Sequence, residues 1–278
     1  QISTTLWVTG SFDNPAGFAA CLCAGFPFVG FLLSDSNKYI RYVGGLIGFV
    51  IVIAVILSQS RAGIMSIAFI CFILLNMKFF HKRWVKYLSL LCFALLLSGC
   101  YWMKKDSADG RLLIWRCSVS MVKDAPWLGH GIGSFEARYM DYQADYFRQY
   151  GLNRYSMLAD NVKHPFNEYL GVLLNFGFVG LLMILALITL LIYCYKKHPC
   201  AEKRIAFYSL ISIGVFSFFS YTFTYPFTWI VTFLCIIILT KEYIAKVFTC
   251  PIIKNTVCIF ILLCSFWGIY NLVKRVMA

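Results

Sequence analysis

Charged side chains are scarce in this chain. Asp, Glu, Lys and Arg make up 13% of its 278 residues, and only 12 of them are acids; a soluble globular chain carries roughly 25% charged residues. That excludes an ordinary soluble domain. Strand-like alternation is missing too. Apolar residues come in repeated runs of 17 or more, whereas the strands of a membrane β-barrel alternate over ~10 residues, so a barrel is excluded. There is no Gly-rich phosphate loop of the P-loop type, and ATP is not implied. No cysteine spacing reads as a zinc site, and the opening residues are not expected to act as a signal peptide.

What is present is apolar. Hydrophobic residues are 60% of the chain and aromatics 18%, with a mean hydropathy of +0.75. Runs of this length cross a hydrocarbon core of about 30 Å, so the fold class is all-α, a polytopic transmembrane helical protein. About eight spans are expected, near 15–33, 42–57, 62–80, 87–103, 166–195, 205–222, 227–239 and 256–273. Gly44 and Gly48 in the second have a small-xxx-small spacing that permits close helix packing or is incidental. The chain divides into spans one to four (1–103), a polar block (104–165) and spans five to eight (166–278). It starts at Gln1 in a loop-like stretch and is expected to be the C-terminal part of a longer protein.

The net charge is +13. Nucleic acid is rejected as its partner, because the short loops at 34–41, 78–86, 196–204 and 241–254 hold 13 lysines and arginines. That is the positive-inside pattern, and it makes those loops cytoplasmic. The polar block and Arg61 then share the extracytoplasmic side. Of the twelve cysteines, eight fall in apolar runs as small packing residues. Cys100 and Cys117 are the one pair placed for an extracytoplasmic disulfide.

The polar block is where chemistry is expected. The pattern predicts a helix from Arg111 to Lys123 with Leu112, Trp115, Val119 and Val122 on one face. A break follows at Pro126 and Gly129-His130-Gly131-Ile132-Gly133. A second helix is expected with Ser134 as its cap and an aromatic stripe of Phe135, Tyr139, Tyr142, Tyr146 and Tyr150. The stripe reads either as an interfacial belt or as the lining of a groove for a sugar chain. Arg61, at the outer end of a span, either snorkels to water or holds a phosphate bidentately. Arg111 has the same two readings. His164, just before the fifth span, has the chemistry of a general base near neutral pH. Together they suggest two arginines neutralising a pyrophosphate and a histidine taking a proton from an attacking hydroxyl. Asp106 and Asp109, or Asp141 and Asp145, lack the further ligands of a metal site, so a mechanism without metal or cofactor is expected.

Several short pieces, in order, resemble the O-antigen ligase and polymerase superfamily of bacterial envelope glycan transferases. They are Gly10-Ser11-Phe12-Asp13-Asn14-Pro15; Ser60-Arg61-Ala62-Gly63; Gly110-Arg111 with Trp115; Pro126 to Phe135; and His164-Pro165-Phe166-Asn167-Glu168-Tyr169-Leu170 with Gly177 and Gly180. The resemblance covers about residues 10–190. It implies a bacterial inner (cytoplasmic) membrane protein with a large periplasmic loop. It implies transfer of a glycan from an undecaprenyl-pyrophosphate carrier to lipid A core, a growing glycan or a protein hydroxyl. Arg61 and Arg111 would bind the pyrophosphate, with Trp115, His130 and Asn167 also in the substrate site. His164 would be the base, with His130 as second choice. Many members carry His directly before the Asn. Here Phe166 stands there, and His164 would share a helical face with Asn167 only if Pro165 allowed it. Ligase, polymerase and protein O-oligosaccharyltransferase readings use the same site. A lipid-linked glycan flippase is the alternative outside catalysis, and it should carry ionisable residues within its spans.

Overall fold

The computed structural model describes residues 9–12, 14–78, 83–103 and 105–248. The expected last span, with Lys254, lies outside these residues, as do Asp13, His81 and Lys82. The described residues contain α-helices and short 3₁₀ turns and no strand. The helices are α1 (Pro15–Gly25), α2 (Val29–Leu33), α3 (Lys38–Leu57), α4 (Arg61–Lys78), α5 (Arg83–Met103), α6 (Lys105–Asp124), α7 (Ser134–Tyr150), α8 (Glu168–Lys197), α9 (Ala201–Phe219) and α10 (Pro226–Phe248). Among the described residues, four stretches are long and apolar enough to cross a membrane: Pro15–Leu33, Lys38–Leu57, Glu168–Lys197 and Pro226–Tyr243. Helices also form at three other expected spans, as α4, α5 and α9. Exposed Leu46, Phe49, Val50 and Ile53 on α3, and Leu182, Met183, Leu185 and Leu190 on α8, suit a lipid-facing surface, where apolar exposure carries no hydration cost.

Small and hydroxyl side chains let the bundle pack closely. Ala19, Ala20, Cys23 and Ala24 of α1 are buried against α4 and α9. Polar glue fills the same seam. Ser66 Oγ donates to Ser212 O, Ser212 Oγ to Cys23 O and Ser209 Oγ to Ala24 O, at 2.7–2.8 Å. A side chain on Gly44 would meet Leu32 Cβ at 2.6 Å, so the small-residue spacing on α3 does admit α2. Lys203, counted in the sequence as a loop cation, is instead fully buried in the first turn of α9, 2.5 Å from Glu242 of α10.

The polar block folds as a helical hairpin, α6 and α7, with its own core of Leu113, Ile114, Cys117, Met121, Phe135 and Tyr139. Two expectations change here. The deepest face of α6 is Leu113, Ile114, Cys117 and Met121 rather than the face carrying Val119, which is exposed. The aromatic stripe of α7 is also not one continuous surface. Phe135 and Tyr139 are buried against α6, Tyr142 and Tyr146 are half-buried, and only Tyr150 is fully outside. Cys117 is a free thiol within this core, and burial pushes its pKa up to about 11. Ser134 does not cap α7; Gly133, at φ 80°, holds the cap position, and the Ser134 hydroxyl faces Asn175 of α8.

The hairpin is fastened to the bundle at a break in α8. Gly177 has φ 62° and ψ −159°, a conformation nearly confined to glycine, and the break strands backbone groups on both sides of it. The 126–131 loop satisfies them. Phe178 N donates to Pro126 O at 2.8 Å and Val179 N to Trp127 O at 3.2 Å, while His130 N donates to Leu174 O at 2.7 Å and Gly131 N to Asn175 O at 3.0 Å. A broken helix at membrane depth is tolerated where such groups are re-satisfied by protein.

Candidate functional site

A turn built from serines sets Arg61. Ser58 Oγ donates to Val55 O at 2.7 Å, and Ser60 N donates to Ser58 Oγ at 3.3 Å. Ser60 Oγ then accepts the Gly63 amide at 3.3 Å. Gln59 between them takes φ 52°, a costly conformation for a residue with a Cβ. The chain therefore leaves α3 and enters α4 within three residues, and Arg61 stands on the first turn of α4. Its Nη2 donates to Ser107 Oγ of α6 at 2.7 Å.

Arg111 comes from the middle of α6, which starts at Lys105 rather than at Arg111 as the sequence pattern suggests. Its Nη1 donates to Phe219 O, at the end of α9, at 2.7 Å. Its guanidinium lies 5.1 Å from the Phe166 ring centroid. Burial, and then repulsion from Arg61, bring its pKa down to about 10, which leaves it cationic at neutral pH.

Both arginines line a cavity of about 240 Å³ with Asn14, Ser107, Phe166 and Tyr221. No described lining residue is acidic. The two non-glycine residues with positive φ among the described residues, Gln59 and Phe166, both line it as well. Strained backbone of this kind persists where the surrounding structure fixes it, and it clusters at ligand sites. Two guanidiniums, serine hydroxyls and an asparagine amide form a donor-rich cup suited to phosphate oxygens.

Other expected residues stand at different distances from this cup. His164 does not itself line the cup; it adjoins it through Tyr221, its ring stacked on that lining residue with centroids 4.8 Å apart. Burial holds its imidazole below the usual pKa; Glu136 pulls it up and Lys163 pushes it further down. Trp115 Nε1 donates to Pro165 O at 2.9 Å, pinning the loop that carries His164. The face of α6 with Leu112 and Trp115 lines a second cavity of about 180 Å³, which shares Arg61 and Arg111 with the first. Asn167 does not line the cup. It N-caps α8, its Oδ1 accepting the Leu170 amide at 3.0 Å. His164 does not continue that helix, because Phe166 turns the chain at φ 52°. His130 lines neither cavity. Its Nε2 meets Met121 O at 2.7 Å and its Nδ1 meets Arg138 at 3.0 Å, so its ring braces the loop docked on α8.

Sequence reasoning missed Tyr221, Phe219 and Ser107. Tyr221 and Phe219 lie at the end of an apolar run, among serines and threonines but with no charged residue near them, and only the fold brings them beneath the loop. Asn14 was legible within the Gly10–Pro15 piece. Its Oδ1 accepts the Ala16 and Gly17 amides at 2.8 and 3.0 Å, which is ordinary helix capping, yet its Nδ2 donates to Tyr221 Oη at 2.9 Å.

Below the arginines the surface is apolar. Met65 and Phe219 link the second cavity to one of about 660 Å³ bounded by Phe69, Phe93, Leu191 and Leu210 of α4, α5, α8 and α9. Among the described residues, no three His, Cys, Asp or Glu side chains group as a metal site.

A family model described as O-antigen ligase matches residues 46–185, half of the chain. That range holds Arg61, Arg111, Trp115, His130, His164 and Asn167, and leaves Asn14, Phe219 and Tyr221 outside it. A search of curated proteins finds no match.

Proposed function

The chain belongs to the O-antigen ligase family, a family of membrane glycan-processing enzymes, and on that premise we propose that it transfers a glycan from undecaprenyl pyrophosphate to an acceptor hydroxyl at the extracytoplasmic face of the bacterial inner membrane. The observation that carries this reading is the shared cavity of Arg61 and Arg111, with His164 stacked on its lining residue Tyr221 and an apolar cavity leading on into the bundle. Pyrophosphate needs a cationic, donor-rich cup, and a polyprenyl chain needs an apolar path at membrane depth. The two adjoin here.

The chemistry follows from the charges. The acceptor oxygen attacks the anomeric carbon, the bond from that carbon to the phosphate oxygen breaks, and the acceptor proton passes to His164. The electron pair of the broken bond stays on the pyrophosphate, where Arg61 and Arg111 stabilise the added charge. A histidine held below its usual pKa is neutral at neutral pH and ready to accept a proton. Trp115 fixes the loop that delivers it. The same site serves a lipid A core, glycan or protein acceptor.

The test is complementation of a host lacking its own ligase. Wild type should attach glycan to lipid A core, and Arg61→Ala, Arg111→Ala and His164→Ala should abolish attachment at normal protein abundance. Three variants as active as wild type would remove the proposed site. Carrier-linked glycan accumulating with wild type itself would move the assignment to another acceptor or to transport.

A further inference from the structure

Tyr221 links three parts of the cup, and it lies beyond the part of the chain that the family model matches. It follows α9, lines the arginine cavity, and stacks on His164 with an interplanar angle of 27°. The Phe166 ring meets it edge-on at 5.3 Å. Its hydroxyl has a defined polarity. Asn14 uses its Oδ1 to cap α1, so the group it turns toward Tyr221 is the amide NH2, and the Tyr221 oxygen is the acceptor. The phenolic proton is then left to donate elsewhere, and Tyr221 lines the cavity that holds the two guanidiniums, close enough to Arg111 for the two to interact electrostatically.

We propose that Tyr221 is a further working residue of this site: its ring positions the His164 imidazole, and its hydroxyl, oriented by Asn14, donates to the bound diphosphate. The inference rests on the anion-site reading above. It assigns the end of α9 a task in the reaction, and it explains why Asn14, at the far end of the sequence, is tied to the same point.

Two properties separate a positioning role from mere packing. One is the protonation of His164. The groups that act on it are Glu136 from α7, Lys163 beside it and its own burial, to which the Tyr221 ring contributes by covering one face. The other is affinity for the anion. Both can be read on the purified full-length protein without knowing the glycan. The pH dependence of diethyl pyrocarbonate modification at His164, followed by peptide mass spectrometry, reports its titration. Undecaprenyl pyrophosphate serves as the binding probe.

Tyr221→Ala should move the His164 midpoint upward, by about half a unit or more, as the ring is exposed to water. Tyr221→Phe keeps the stack and should leave that midpoint in place, but it should weaken undecaprenyl pyrophosphate binding about tenfold, as expected for loss of one hydrogen bond to a charged group. An unchanged midpoint in Tyr221→Ala, or wild-type affinity in Tyr221→Phe, overturns the proposal. Because Tyr221→Phe preserves the packing, its result stands even if the alanine variant misfolds. Arg61→Ala and Arg111→Ala are measured alongside. If they too bind as wild type, the anion-site reading has failed. If they lose binding while the Tyr221 variants behave as wild type, only the assignment of Tyr221 has failed.

Discussion

The Phe178 amide donates to the Pro126 carbonyl at 2.8 Å, so the loop hairpin supplies a backbone partner that the broken helix α8 does not supply for itself. The loop that carries half of the site is thereby held to the membrane bundle by main-chain bonds on both sides of Gly177. A Cβ at Gly177 would lie 2.3 Å from Trp127 O, and at Gly129 2.6 Å from the Asn175 carbonyl carbon. Gly177→Ala should therefore destabilise the protein by about 3 kcal/mol or more, through strain at a glycine-only conformation and loss of this docking. Thermal unfolding in detergent checks it; a melting temperature equal to wild type would show that the loop is held by other means.

Arg111 does more than carry charge. It bonds Phe219 O and lies over Phe166, and a lysine cannot reproduce both contacts. Arg111→Lys should lower transfer at least about tenfold while protein abundance is kept, the scale expected when an aligned guanidinium contact of about 1.5–3 kcal/mol is lost. Activity within twofold of wild type would reduce Arg111 to a point charge.

The pH dependence has a definite sign. Burial depresses His164, so the neutral base is present at neutral pH and is lost as pH falls through a midpoint below the usual histidine value. Removing the Glu136 charge with Glu136→Gln should move the acidic limb of the rate profile to lower pH, and Lys163→Gln should move it to higher pH. The linked stability runs the same way. Between the folded and unfolded pKa the unfolded chain binds more protons, so stability rises with pH across that window and is lost as pH falls through it. An acidic limb that neither variant moves would remove His164 as the titrating base.

On the opposite end of α9, two ion pairs invite comparison. Lys203 is fully buried against Glu242, whereas Lys241 and Glu202 are exposed at 2.7 Å. Glu242→Gln leaves a buried charge without its partner and should cost about 3 kcal/mol. Glu202→Gln, at an exposed and solvent-screened pair, should leave the melting temperature nearly unchanged. Equal melting temperatures for the two variants would contradict the difference in burial.

Much of this was legible from the sequence because it depends on local pattern. Apolar runs gave the helices near their places, and the motif pieces around Arg61 and Arg111 marked the arginines that share the cup. The register of α6 was harder. Its apolar residues face two sides, Leu113 and Cys117 toward α7 and Leu112 and Trp115 toward the arginines, and a one-face pattern cannot describe a helix packed on both. Gly177 and the Pro126 loop read as separate motif pieces, yet their meaning is one contact. The resemblance places His130 and Asn167 in the substrate site, and the contacts they make here, bracing a loop and capping α8, depend on the fold and not on the motif. Tyr221 carried no local signal, since its role depends wholly on contacts distant in sequence.

The most direct measurement is the fate of the carrier. Protein in liposomes is given an undecaprenyl-pyrophosphate-linked glycan and an acceptor, and the lipid product is identified by mass spectrometry. Cleavage at the anomeric carbon predicts that wild type releases intact undecaprenyl pyrophosphate in step with glycosylated acceptor, and that Arg111→Ala and His164→Ala release none. Release of undecaprenyl monophosphate by wild type, or equal release by all three proteins, would contradict the account.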